Sequence, residues 1–312
     1  MINMQSFKSI LDLLRTFKDE QSCINHLEQI RWSNGVISPF DTFSKVYKCA
    51  NNRYKCKNTG KYFNVRTNTI FEGTKVSLQN WFIAIYLFTS HKRGISSYQL
   101  AKDLNVTQKT AWFILSRLRY STVHNSFLRE LTGIVEVDET FVGGKNKNRH
   151  HDKKVPFSQG RSFKDKTPVL GMIERGGLLK AVVISNTSKQ AVQPQLLANI
   201  KLGSDLMSDE WKAYKGMNKY FNHKFVDHGK KQYVSDDCTT NAIENFWSHF
   251  KRSIIGVYYH TSKKHLQKYV DESVFRFNTK SNTTDTRFNM LLETSNNKRL
   301  TYKMLINDKV SL

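Results

Sequence analysis

Thirteen residues, TTNAIENFWSHFK from Thr239 to Lys251, constrain the fold more than any other stretch. On a helix, Ile243, Phe246, Trp247 and Phe250 make one apolar stripe. Asn241, Glu244, Ser248 and Lys251 fall at steps of three, four and three along the opposite side. Such a helix needs a flat apolar surface to receive its large side chains. A carboxylate and a lysine on its outer side suit a site that handles metal and phosphate. The same spacing also describes an ordinary amphipathic surface helix, so the reading depends on what the rest of the chain supplies.

Charge narrows the partner. Lys and Arg number 49 against 26 acidic residues, a formal net charge of +23. That excess implies a polyanion, nucleic acid before all others. An anionic membrane surface is the alternative, but no apolar run approaches the roughly 18 residues of a spanning helix. The first twenty residues include acids and no long apolar stretch, so no secretory signal is expected. Cys23, Cys49, Cys56 and Cys238 are widely scattered, which suits a reducing compartment better than a disulfide framework. A cytoplasmic, nucleoid-associated protein is expected.

Hydrophobic periodicity divides the chain. Residues 1–30 read as helices, with Phe7, Ile10, Leu11, Leu14 and Phe17 and then Cys23, Leu27 and Ile30 in phase. Residues 31–75 switch to short strands such as VYKC and KYFNV. Residues 76–125 are helical again. Residues 130–285 begin with the strand GIVEVD and continue into a hairpin turning at Arg175, Gly176 and Gly177. A helix over Lys189 to Ile200, a short strand before Ser208, a helix opening at Asp209, the Thr239 helix and the helical KKHLQKYVDESVFRF follow. This order predicts an α/β domain, a mixed sheet flanked by helices. Residues 286–312 read as a C-terminal tail. The stretch from Gly143 to Lys166 is basic and without periodicity, a loop whose Lys145, Lys147 and Arg149 are assigned to DNA contact.

Residues 97–119, SYQLAKDLNVTQKTAWFILSRLR, fit a helix-turn-helix. Leu100, Ala101 and Leu104 give the first helix its inner face. Asn105 takes the turn, where a left-handed backbone is needed. Thr107 is the expected N-cap of the second helix, and Ala111 and Ile114 pack it back. Gln108, Lys109 and Thr110 stand at its start, where this motif meets base edges. Arg117, on the same helix, is assigned to DNA as well.

Acids recur at the ends of the predicted strands. GIVEVD puts Glu136 and Asp138 on one side of its strand and Val135 and Val137 on the other. Asp209 follows the next apolar fragment, and Glu244 lies on the Thr239 helix. Three carboxylates on separate elements can hold two divalent ions about 4 Å apart. Mg²⁺ suits hard oxygen ligands of this kind, with Mn²⁺ as a substitute. Asp205, Glu139, Glu210 and Asp237 are rivals for the same roles, and each acid has a local alternative as a cap or ion-pair partner.

Taken together, these segments resemble the DDE-type transposases of bacterial insertion sequences. The resemblance is to the group with an N-terminal zinc ribbon, a helix-turn-helix and an RNase H-like catalytic domain. It runs through Trp32 to Gly35, YKC at 54–56, FNVRTNTIFE at 63–72, VDETFVGGK at 137–145, SDEWKAY at 208–214, NAIENFWSHFKRSIIGVYYH at 241–260 and HLQKYVDESVFRFN at 265–278. It implies metal ligation by Asp138, Asp209 and Glu244, with Asn241 and Lys251 accompanying Glu244. The ribbon departs from the group's pattern. Ser38 to Asp41 stand where relatives have a CPxC pair, and Cys56 and Thr59 stand for the second pair. A structural zinc site wants four ligands, so residues 31–75 are expected to form a ribbon-shaped module without zinc.

What the resemblance implies is a transposase that binds the terminal inverted repeats of its own element. It would cut each end by phosphodiester hydrolysis and join the 3′-hydroxyl to target DNA, as a homodimer or higher assembly. Lys251 would contact a phosphate near the scissile bond. Arg252, Tyr258 and His260, on and beyond the helix, are assigned to the DNA groove. Two alternatives stay open: an RNase H-like nuclease or resolvase that cuts without joining, and a regulator that uses only the helix-turn-helix.

Overall fold

In the computed structural model, residues 6–144, 150–156, 165–209, 212–226 and 239–306 are described. They divide into one unit comprising Met1–His124 and Ser281–Leu312 and another comprising Asn125–Lys280.

The first unit opens with α1 (Ile10–Thr16) and α2 (Glu20–Arg31), each started by a side-chain cap, Ser9 and Asp19. Three short antiparallel strands follow: β1 (Val46–Cys49), β2 (Arg53–Cys56) and β3 (Tyr62–Phe63). Tyr54, Cys56 and Phe63 pack there with Trp32, Val36 and Val46. Ser38 and Thr59, two positions where the resemblance puts cysteines, gather around Cys56. Burial raises its thiol, but hydrogen bonds from the Ser38, Ser44 and Thr59 side chains and the Thr59 backbone outweigh burial and bring it down to about 6.

Helices α3 (Leu78–Ser90), α4 (Ser97–Leu104) and α5 (Gln108–Tyr120) complete the first half. Asn105, between α4 and α5, has φ 50° and ψ 51°, and Thr107 Oγ1 accepts from the Thr110 amide. The expected helix-turn-helix geometry is therefore present. The expected tail is not. Residues 284–294 form a helix of this unit whose Phe288 packs edge-on against Phe7 and Phe82, at 5.0 and 5.3 Å between ring centroids. Three buried apolar residues, Phe288, Leu291 and Leu292, give that segment a core of its own to join.

The second unit is built on one sheet of five strands. Its elements are β4 (Ile134–Val142), β5 (Thr167–Glu174), β6 (Leu179–Val183), α6 (Lys189–Asn199), β7 (Asp205–Asp209), β8 (Asn222–Val226), α7 (Asn241–Ser253) and α8 (Leu266–Asn278). Strand order is β6-β5-β4-β7-β8; the first three run antiparallel, and β7 and β8 run parallel to β4. This is the RNase H-like arrangement. The hairpin turns at Gly176, φ 72°, as expected. The helix expected to open at Asp209 is not found among the described residues, because β7 continues through Asp209, which pairs with Val226; two 3-10 turns, Lys212–Tyr214 and Met217–Lys219, follow before β8. In chain order the two terminal helices of the first unit are α9 (Thr284–Thr294) and α10 (Tyr302–Ile306).

Both faces of the sheet are covered. Val135, Val137, Leu170, Met172 and Leu206 meet α6 and Tyr214 on one side. On the other, Val169, Ile173, Leu179 and Ala181 meet Ile243, Phe246, Trp247 and Phe250 of α7 and Leu266 and Val270 of α8. The apolar stripe of the Thr239 segment thus finds its surface, and Trp247, 4% exposed, is core. Gly171 permits the approach: a Cβ there would stand 2.4 Å from Trp247 Cζ2 and 2.7 Å from Ile243 Cδ1. Replacing Gly171 with Ala should therefore lift α7 off the sheet at a cost of roughly 1–3 kcal/mol. Urea denaturation of the variant against the parent measures it; an unchanged midpoint would show that α7 packs less closely than this.

Candidate active site

Alternation along β4 sorts its acids. Glu139 faces the α6 side, where its Oε1 accepts the Tyr214 hydroxyl at 2.7 Å. Glu136 and Asp138 share the side covered by α7. β7 pairs with β4 in parallel register, with Glu136 level with Met207. Asp138 follows two residues after Glu136 in the middle of β4, and Asp209 two residues after Met207 at the end of β7. Neighbouring strands stand about 5 Å apart, close enough for carboxylates on the two to share a cation. Tyr214 reports the same neighbourhood. Burial comes first in holding its phenol well above the ordinary range, then the charge and hydrogen bond of Glu139, with Asp209 and Asp138 adding to them.

Glu244 reaches this area from α7, whose first turn is tied down by Glu136. That carboxylate is 2% exposed. Its Oε2 accepts the amides of Ala242 at 2.9 Å and Ile243 at 3.3 Å, and its Oε1 accepts Arg175 Nε at 2.9 Å. Arg175 Nη2 also donates to the Thr239 carbonyl at 3.3 Å. An anion at a helix N-terminus satisfies amides that have no partner within the helix and opposes the helix dipole. Sequence reasoning put Glu136 beside Asp138 but gave it no role. The available signal was a second acid on the inward side of a buried strand, where an unpaired charge is too costly to keep.

Asp138 and Asp209 thus lie on neighbouring paired strands and both act on Tyr214, while Glu244 is carried on the first turn of α7. Glu244 is exposed, and its Oε1 accepts from Thr240 Oγ1 at 2.9 Å. Among the described residues no group of three or more His, Cys, Asp or Glu is gathered as a metal cage. Hard oxygen donors on Asp138 and Asp209 fit a divalent cation such as Mg²⁺, with Glu244 as the candidate third donor. Of the rivals, Glu139 lies on the opposite face. Asp205 lies four residues back along β7, accepting Asn222 Nδ2 at 3.0 Å. Glu210 and Asp237 fall outside the described residues.

Asn241, Lys251 and Arg252 are exposed on α7, and His260 is exposed beyond it. Tyr258 is turned to the protein instead. Its hydroxyl donates to Glu272 Oε1 at 2.7 Å and its ring packs on Tyr269. Its neighbour Tyr259 is the exposed ring, 83%. At the start of α5, Lys109 is exposed, while the Gln108 amide donates to Ser97 Oγ and the Thr110 hydroxyl meets that of Thr107. Arg117 is not a free cation for DNA. It is 3% exposed, donates to the carbonyls of Ile70 and Glu72, and is lowered to about 10, chiefly by burial. Lys145, Lys147 and Arg149 lie outside the described residues. No helix among the described residues is long and apolar enough to cross a membrane.

Residues 130–278 match the ISXO2-like transposase domain. The chain is 29% identical over 252 residues to an uncharacterised protein in transposable element ISH50 of Halobacterium salinarum, covering 77% of this chain and 84% of that one. Solved structures that match include a pre-cleavage Mos1 transpososome, at 14% identity, TM-score 0.28 and coverage of 67% and 76% of the two chains. The Mos1 strand transfer complex matches at 14% identity, TM-score 0.28 and coverage of 70% and 79%. The second unit, Asn125–Lys280, thus carries a segment similar to the ISXO2-like transposase domain, and the chain is similar to a protein of an insertion element.

Two substitutions test the supports. Glu136→Ala leaves Arg175 and two helix amides without their anion and should cost about 3 kcal/mol in denaturant unfolding; Glu136→Gln, which keeps an acceptor, should cost less than half of that. Equal losses would mean that shape alone matters there. Arg117→Ala strands two carbonyls and should lower stability by roughly 3 kcal/mol, a loss that a surface DNA contact would not show.

Proposed function

We propose that this chain is a DNA transposase that cuts the ends of its own element and joins the freed 3′-hydroxyls to target DNA. The observation that supports the reading is that Asp138 and Asp209 stand on adjacent, parallel central strands and both act on Tyr214, with Glu244 on the first turn of α7. Asp138 and Asp209, with Glu244, are the residues to hold Mg²⁺. A bound divalent ion supplies Lewis acidity at the phosphodiester oxygens.

The chain's own residues do the rest. The exposed Lys251 and Arg252, on the outer side of α7, neutralise phosphate and hold the backbone in line. Asn241, one turn before Glu244, orients that carboxylate or touches DNA. In the first step water oxygen bonds to phosphorus and the bond to the 3′ oxygen breaks. In the second, that 3′-hydroxyl attacks a target phosphorus and displaces the target's 3′ oxygen. Neither step needs a covalent protein intermediate. Lys109 and the turn around Asn105 present the helix-turn-helix to the terminal repeats. Two ends must be held for joining, so two or more copies act together on DNA. The excess of basic residues, 49 against 26 acidic, supplies the attraction for the polyanion.

Incubation with the DNA flanking the gene and Mg²⁺ should give nicks at both element ends, and a pre-cut 3′ end should be joined to a second duplex. Asp138→Asn and Asp209→Asn should each lower both activities at least about a thousandfold while leaving DNA affinity within a few-fold. Cutting without joining would favour a nuclease or resolvase. Binding with no cutting by the parent chain would favour a regulator.

A further inference from the structure

The first unit holds a cavity of about 850 Å³ that the cutting and joining chemistry does not use. It lies between the start of α5, the segment 72–76 and the segment 299–302. Three of its walls are aromatic: Trp112, Phe113 and Tyr302. The Phe113 and Tyr302 rings are 6.3 Å apart, and the Arg117 guanidinium lies 4.3 Å over Phe113. Tyr302 is half exposed, so its ring is presented to a ligand.

The lining is also cationic. Lys75, Lys109, Arg117 and Arg299 stand against a single acid, Glu72. That acid is already engaged, by Arg299 Nε at 3.2 Å and the Asn68 amide at 2.7 Å. Arg117 is held in the wall by the carbonyls of Ile70 and Glu72, which leaves a phosphate to Lys75 and Lys109. Aromatic faces interleaved with cations are what unpaired nucleotides require, since every base has a π-face and every link a phosphate. The volume falls in the roughly 300–1,000 Å³ range of sites that enclose small molecules. It admits a nucleotide or two, and excludes a duplex.

We infer that this cavity binds an unpaired nucleotide of the DNA whose duplex part meets the start of α5. The inference rests on the reading of the chain as a DNA-binding transposase and adds an unpaired nucleotide, in the cavity beside the start of α5, to what it recognises. An acidic peptide would satisfy the charges but leave the aromatic walls without a stacking partner.

Anisotropy titrations of the full chain with a blunt duplex, and with the same duplex bearing a short unpaired tail, test this at one salt concentration. The tail should tighten binding by about tenfold. Tyr302→Ala should bring the tailed duplex to within about twofold of the blunt one, Tyr302→Phe should retain the preference, and blunt-duplex affinity should be the same in all three proteins. Equal affinity of the parent chain for both DNAs, or an undiminished preference in Tyr302→Ala, overturns the inference while leaving DNA binding standing. Displacement of the tail by an oligo-glutamate, with no effect from the Tyr302 variants, overturns it in favour of an acidic peptide. Failure to bind either duplex overturns it together with the DNA-binding reading on which it rests.

Discussion

The buried carboxylate of Glu136 governs the geometry of the second unit. It is a charge placed on the inward side of a central strand, and three donors from elsewhere in the chain make that tolerable: two amides opening α7 and the guanidinium of Arg175. Removing any of these leaves an unpaired group in a poorly solvated place, so the arrangement is held as a set. The consequence is positional. α7 begins where Glu136 stands, and Glu244 on its first turn is therefore indexed to the strand that carries Asp138 two residues on. Gly171 does the same for the tilt, since only the absence of a Cβ lets Trp247 and Ile243 settle beside β5.

Much of this was legible because the local signals agreed with the tertiary outcome. Asn105 and Thr107 mark a left-handed turn and a cap, and both are local devices that need no distant partner. The apolar stripe of α7 is similarly self-declaring. What the sequence hid is whatever depends on pairing across the chain. Glu136 and Ala242 are far apart in sequence, and nothing local distinguishes an acid that anchors a helix from one that binds a cation. Arg117 misled for the related reason that a long cationic side chain on a DNA-contacting helix looks available until its partners, the carbonyls of Ile70 and Glu72, are known. Phe288, Leu291 and Leu292 were passed over because a short apolar set near the end of a chain declares a helix only once the surface it covers is seen.

The small three-stranded module is held by short-range packing. Side chains of Ser38 and Thr59 hold the thiol of Cys56 in hydrogen bonds, and Tyr54, Phe63 and Trp32 fill the space beside it. The edge-on Trp32–Tyr54 contact, 5.2 Å between centroids, is of the kind that contributes about 0.5–1.5 kcal/mol beyond area burial. Several such contacts are comparable to the net folding stability of a small module.

Strand alternation explains why the carboxylates do not defeat one another. Acids crowd the middle of β4, and a single-sided arrangement of all of them would be strongly self-repelling. The pleat sends Glu139 to Tyr214, where a hydroxyl satisfies it. It keeps Glu136 and Asp138 together, but gives Glu136 a guanidinium and two amides of its own. That division leaves Asp138 and Asp209, on neighbouring parallel strands, as acids whose hard oxygen donors suit a divalent ion. Glu244, exposed on the first turn of α7 and accepting from the Thr240 hydroxyl, is the acid that helix offers as a third donor.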